Sequence, residues 1–229
     1  MQHEPQLCRP QAFYFFAEQM RALDTNQGLL NAAIAIAMHG LRDVDPVSVR
    51  SQLQQLAQRV RRRVRGRQPQ ALLAHLHDVL FEEEHFAGNG QDYYDAYNSY
   101  LPTVLETRRG IPITLCLVYK IVADGIGLSV AGINAPGHFL ARVHLPDGWM
   151  IIDPYSAGGV LTEDEAFHRI EAITGRVVPH LPEYLAPATH SQWISRMLLN
   201  LQHVFARTDR HGDSIAMSEL QSLLDFSVC

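Results

Sequence analysis

Cysteine is scarce. Cys8, Cys116 and Cys229 are scattered through 229 residues, too few for a disulfide framework, and point to a reducing compartment. No CxxC pair or Cys/His spacing marks a structural zinc site. The twelve histidines do not compensate. HExxH is absent, and His75 and His77, two residues apart, face different sides of a helix. No metal or cofactor is therefore expected. Long apolar runs are also missing. The most apolar stretch, residues 28–38, is about half the length of a membrane span and contains Asn31, so it reads as a buried helix. The opening residues, MQHEPQLCRP, lack a basic start followed by an apolar run, so no signal peptide is expected. A net charge of −5 disfavours a general nucleic-acid platform. Together these absences predict a cytoplasmic protein with no membrane partner.

What remains is ordinary for a globular chain: 47% hydrophobic and 19% charged residues, with length enough for a substantial core. Helical periodicity dominates the first hundred residues. Helices are predicted over 12–23 and 29–39, the second closed by Gly40. Asp45-Pro46 supplies an N-cap and a first-turn proline. Behind it, Val49, Leu53, Leu56, Val60 and Val64 form an amphipathic stripe, ended by Gly66 and Pro69. A further helix is predicted over 71–81.

The middle changes character. Residues 112–126 have apolar helical spacing, and the Gly125-Ile126-Gly127 segment closes them. Residues 128–133 read as a strand. Two extended runs, 139–144 and 149–152, flank Leu145-Pro146-Asp147-Gly148, a hairpin signal. Thr162 and Glu165 have capping-box spacing. Finally, Trp193, Met197, Leu201, Val204 and Phe205 share a helix face, and a loop at 208–213 leads to a short helix ending near Leu224. The expected fold is α+β: an N-terminal helical region (1–100), a core of one helix on a small antiparallel sheet (101–187) and a C-terminal helical hairpin (188–229).

Three features could carry chemistry. His138 and Asp153 sit at the outer ends of the hairpin. With a four-residue loop, His144 pairs with Trp149, Asp153 falls opposite Leu140, and His138 lies diagonally from Asp153 on the same face; a two-residue Asp147-Gly148 loop keeps them on one face but one step further apart. Long side chains bridge that gap. A carboxylate there fixes the imidazole tautomer and supports a general base. Alternatively, His138 packs under a loop and Asp153 caps the turn at Pro154. Cys116 is the available thiol. In the first helical turn its thiolate is favoured by free amides and the helix dipole. That requires Thr114 as N-cap. If Pro112 is the first helical residue, as proline prefers, Cys116 lies one turn inside among apolar neighbours, a small buried hydrophobe. Third, Arg59, Arg61, Arg62, Arg63, Arg65 and Arg67 put six arginines in nine residues. They read either as a site for an anionic partner or as a solvated helix face with Glu82, Glu83 and Glu84 as internal partners.

The stretch LFEEEHFAGNGQDYYDAYNSYLPTVLETRRGIPITLCLVY (80–119) resembles the signature of SirB-type proteins, a branch of the transglutaminase-like superfamily. GINAPGHFLARV, WMIIDPYSAGG and ISRMLLNL extend the resemblance over most of the chain, the last of them to the start of a tetratricopeptide-like tail. The resemblance implies a papain-like core in which a cysteine-bearing helix packs on a sheet carrying histidine and aspartate. His138 and Asp153 fall on those two positions. Counted back from Gly127, the nucleophile's place falls on Pro112, which cannot attack a carbonyl, and Cys116 lies a turn deeper. The expectation is thus a non-catalytic module that holds a protein or peptide in a relic groove. The alternative is a thiol hydrolase, deamidase or acyltransferase with Cys116 as nucleophile, His138 as base, Asp153 orienting it, and Asn98 or Asn134 as oxyanion donor.

Overall fold

The computed structural model describes residues 4–227; Cys229 lies outside them. The chain begins with three helices, α1 (Pro10–Gln19), α2 (Asn26–Gly40) and α3 (Pro46–Arg61). Asp45 caps α3 by accepting from the amides of Val47 and Ser48. The expected stripe is buried at Val49, Leu53, Leu56 and Val60. Thr25 caps α2 through Gly28 N. Gly40 is not a cap but the last residue of α2, with Leu41 following in extended conformation. It is glycine because a Cβ there would lie 2.2 Å from the Tyr100 ring. The packing of a distant residue, rather than backbone conformation, sets this position.

α4 (Pro69–His77) runs into a π-helical turn, Asp78–Glu83. A short parallel pair joins β1 (Ala87–Gly88) to β2 (Arg109–Gly110), with α5 (Leu101–Thr107) between them. Then comes the central helix α6 (Pro112–Ile126), buried on nearly every side and closed by Gly127 at φ 88°, the left-handed cap that glycine takes without strain.

α6 packs on a five-stranded antiparallel sheet: β3 (Val130–Ile133), β4 (Leu140–Leu145), β5 (Gly148–Asp153), β6 (Gly159–Leu161) and β7 (Pro187–Ala188), in the order β6-β5-β4-β3-β7. In the β4–β5 hairpin His144 does pair with Trp149, but Leu145 also pairs with Gly148. The loop is therefore the two residues Pro146-Asp147, not four. α7 (Glu163–Thr174) opens with the Thr162–Glu165 capping box. α8 (His190–Arg207) and α9 (His211–Ser227) close the fold. α9 starts earlier and runs longer than its sequence pattern suggests.

A hydrophobic core extends from Cys8 and Phe16 through α2 and α6 to Trp193, Leu220 and Leu224. Its continuity is visible at Gly132. A Cβ there would lie 2.4 Å from Trp193 and 2.6 Å from Phe139, so β3 lets α8 approach at backbone distance. A smaller cluster, including Ile133, Leu140, Phe167 and Ile170, seals α7 to the sheet's other face. His39 joins the two ends of the chain: its Nε2 lies 2.9 Å from Asp213 Oδ1, and its Nδ1 accepts from Arg9 N. No helix among the described residues is long and apolar enough to cross a membrane.

Candidate functional site

The hairpin register brings His138 and Asp153 together. His138 Nε2 lies 3.1 Å from Asp153 Oδ2, with both side chains buried. An ionised carboxylate only accepts, so Nε2 carries the proton of this bond. Asp153 is also occupied on its other side. Its Oδ1 accepts from Tyr155 N at 3.0 Å and Ser156 N at 3.4 Å, capping the 3₁₀ turn Pro154–Ser156. Its Oδ2 accepts in addition from Ser156 Oγ at 3.0 Å and Arg169 Nη1 at 2.9 Å. The two alternatives read from the sequence thus coexist in one side chain. Burial acts to raise the Asp153 carboxyl, but the His138 bond, with Ser156 and Arg169 in support, outweighs it and holds the group below its ordinary value.

Cys116 stands behind this pair. α6 starts at Pro112 with Ile111 as N-cap, so Cys116 is the fifth helical residue and its amide belongs to the helix ladder. Thr114 is inside the helix, and its buried hydroxyl has no hydrogen-bond partner. The thiol is 0% exposed and donates to the carbonyl of Phe139 at 3.4 Å. Burial, and next the negative charge of Asp153, push it well above its ordinary value. The first turn of α6 supplies few donors: Pro112 has no N–H, and the amides of Thr114 and Leu115 both reach Ile111 O. Pro112 is itself buried.

The other candidates lie in different settings. Asn98 is buried in the loop before α5; its Nδ2 donates to Asp92 O at 2.6 Å and its Oδ1 accepts from Asn89. Asn134 Oδ1 accepts from Arg196 Nη1 of α8 at 3.1 Å. On the arginine run, Arg59 binds Glu83 and Glu84, Arg63 binds Glu83, and Arg61 folds back on the carbonyls of Val64 and Gly66. Arg62, Arg65 and Arg67 are exposed. Among the described residues no group of three His, Cys, Asp or Glu side chains is placed to hold a metal.

Four residues went unnoticed in the sequence. Arg169 and Ser156 complete the Asp153 cluster. Tyr155 sets its ring edge-on to His138 with centroids 6.0 Å apart and packs so tightly on Gly88 that a Cβ there would lie 2.3 Å from it. Tyr93 touches Tyr155 in turn. Asp-Pro-Tyr-Ser, an aspartate three residues before a serine, carried a local turn signal for Ser156. Arg169 and Tyr93 had none, because only tertiary packing delivers them.

A helix carrying a cysteine thus packs against an antiparallel sheet that pairs histidine with aspartate, in a mixed helix-and-sheet fold. Residues 47–199 match the model of the transglutaminase-like superfamily, and the chain belongs to that superfamily. A UPF0162 protein from Xylella fastidiosa (strain 9a5c) is 38% identical over 141 residues, covering 60% of this chain and 50% of that protein. A UPF0162 protein from Haemophilus influenzae is 26% identical over 166 residues, 72% of this chain and 61% of that protein. The human F-box only protein 21 is 44% identical over 64 residues, 28% of this chain and 10% of that protein. The chain spans about half the length of the Xylella relatives it matches. No solved structure matches it.

Proposed function

We propose that this protein is a non-catalytic transglutaminase-like domain of the SirB type, which holds a protein or peptide partner at the relic of the active-site groove. The observation that carries the reading is the position of Cys116. It lies one turn inside a helix that opens at Pro112, fully buried, with its proton directed to a backbone carbonyl. A nucleophilic thiol needs the opposite: partial exposure, an electropositive setting and a base within reach. His138 donates from Nε2 to Asp153, an arrangement that suits a structural clasp as well as an oriented base, and that carboxylate is the hub of a clasp joining β5, the Pro154 turn and α7. An exposed aromatic beside the buried pair favours binding. Tyr93, which touches the Tyr155 ring that flanks His138, is 37% exposed, and tyrosine supplies large contact area at low entropic cost. The compartment in this reading is the cytoplasm, and the C-terminal helices are the start of a tetratricopeptide-like tail.

Iodoacetamide labelling of the native protein between pH 5 and 9, read peptide by peptide by mass spectrometry, tests the reading. Cys116 is expected to label slowly, without an inflection below pH 9, alike in wild type and His138→Ala, and rapidly once the chain is unfolded. Labelling below about pH 7 that His138→Ala abolishes would establish the thiol enzyme instead.

A further inference from the structure

A second feature lies where α8 meets the loop that carries His138. Arg196 is half-buried there. Its Nη1 donates to Asn134 Oδ1 and its Nε donates to Asn200 Oδ1 at 3.3 Å, so both partners are neutral. Among the described residues no carboxylate pairs with it, and burial pulls its pKa below the ordinary arginine value. Two of the five guanidinium N–H donors are thus accounted for. A partly desolvated cation without a counter-ion is costly unless an anion arrives.

Arg196 lines a cavity of about 320 Å³ between α8 and α9, a size at the lower end of small-ligand sites. Its walls divide by chemistry. Ser191, Gln192 and Ser195 line it from the first turns of α8, and Leu199 and Leu224 supply apolar surface. Gln221, also in the lining, has its Oε1 buried without a hydrogen-bond partner while its Nε2 donates to Asp225. The site therefore offers cationic donors and an apolar wall. A peptide's last residue presents the complement: a carboxylate and a side chain.

We infer that this cavity captures the C-terminal carboxylate of a peptide ending in an apolar residue, with Arg196 as its anchor. The inference rests on the binding reading above and names its ligand. Arg196 receives the carboxylate in the fork geometry that guanidinium shares with it, the hydroxyls of Ser191 and Ser195 add donors, and the last side chain lies against Leu199. Asp225 is the acidic residue of the lining and weakens the anion's binding.

The test uses the full chain, labelled with ¹⁵N, titrated with N-acetyl-leucine and, separately, N-acetyl-leucinamide. The acid is expected to shift the Arg196 Nε–H, Gln192 and Ser195 resonances saturably, with a Kd of about 1–10 mM for so small a ligand. The amide should bind at least ~10-fold more weakly, because it lacks the charge. Arg196→Met should abolish the preference for the acid, and Asp225→Asn should tighten acid binding about 2- to 5-fold. The acid–amide comparison is made on the wild-type protein and does not depend on any variant folding. Equal binding of acid and amide overturns the inference, as does the absence of saturable shifts or shifts confined to other surfaces. Thiol labelling decides the underlying binding reading independently: an early-ionising Cys116 would sink that reading whatever this titration gives.

Discussion

Asp153→Asn is the most informative single substitution, because it changes one atom in a fully buried hub. The asparagine keeps a carbonyl oxygen to cap Tyr155 N and Ser156 N, but sets an NH2 group against His138 Nε2, Ser156 Oγ and Arg169 Nη1, all of which donate to Oδ2 in the native protein. A hydrogen bond to a charged group is worth about 1.5–3 kcal/mol, and the His138 bond is fully buried. Arg169 is 36% exposed and can turn to water, so its share is below ~1 kcal/mol. The expected loss is about 2–4 kcal/mol in urea unfolding at pH 7 with an unchanged m-value. Arg169→Met should cost less than about 1 kcal/mol. The sign of the pH dependence is also fixed. The folded Asp153 titrates below its unfolded value of 3.8, so its stabilisation is present above that pH and disappears as pH falls through the native pKa. Wild-type and Asp153→Asn stabilities should converge there. A difference under about 0.5 kcal/mol at pH 7, or one unchanged by acid, would refute the clasp.

Other outcomes follow from separate parts of the fold. Gly132→Ala forces a methyl into Trp193 and Phe139 and should destabilise by about 1–3 kcal/mol or more; a neutral effect by thermal unfolding would mean that α8 does not pack on β3 as described. Burial keeps His39, His77 and His190 below their ordinary value of 6.5. Below about pH 6.5 the unfolded chain binds protons that the native one refuses, so stability should fall by up to ~1.4 kcal/mol per pH unit for each such histidine. Urea midpoints between pH 7.5 and 5 measure this slope, and His39→Gln should reduce it. A double-mutant cycle on Arg59 and Glu84 should give a coupling below about 1 kcal/mol; a much larger value would make the arginine run a structural brace.

The sequence alone determined the elements whose signals are local. Asp45-Pro46, Thr162 with Glu165, and Pro112 with Gly127 mark helix ends through hydrogen-bond chemistry within a few residues, and the structure puts the ends there. The pairing of His138 with Asp153 was legible because alternation along a hairpin fixes which side chains share a face. The resemblance to the transglutaminase-like superfamily lay in contiguous motifs, and the match over residues 47–199 supports it. Tertiary structure decided what contacts at long sequence separation decide. Gly40 yields to Tyr100, Gly132 yields to Trp193, Arg169 reaches Asp153 from α7, and Arg196 faces Asn134 from α8. None of these partners lies within a helical turn or a hairpin of the other, so no periodicity records them. The protonation of Cys116 belongs to the same class. Its helix position was readable from Pro112, but its complete burial is set by every element packed around α6.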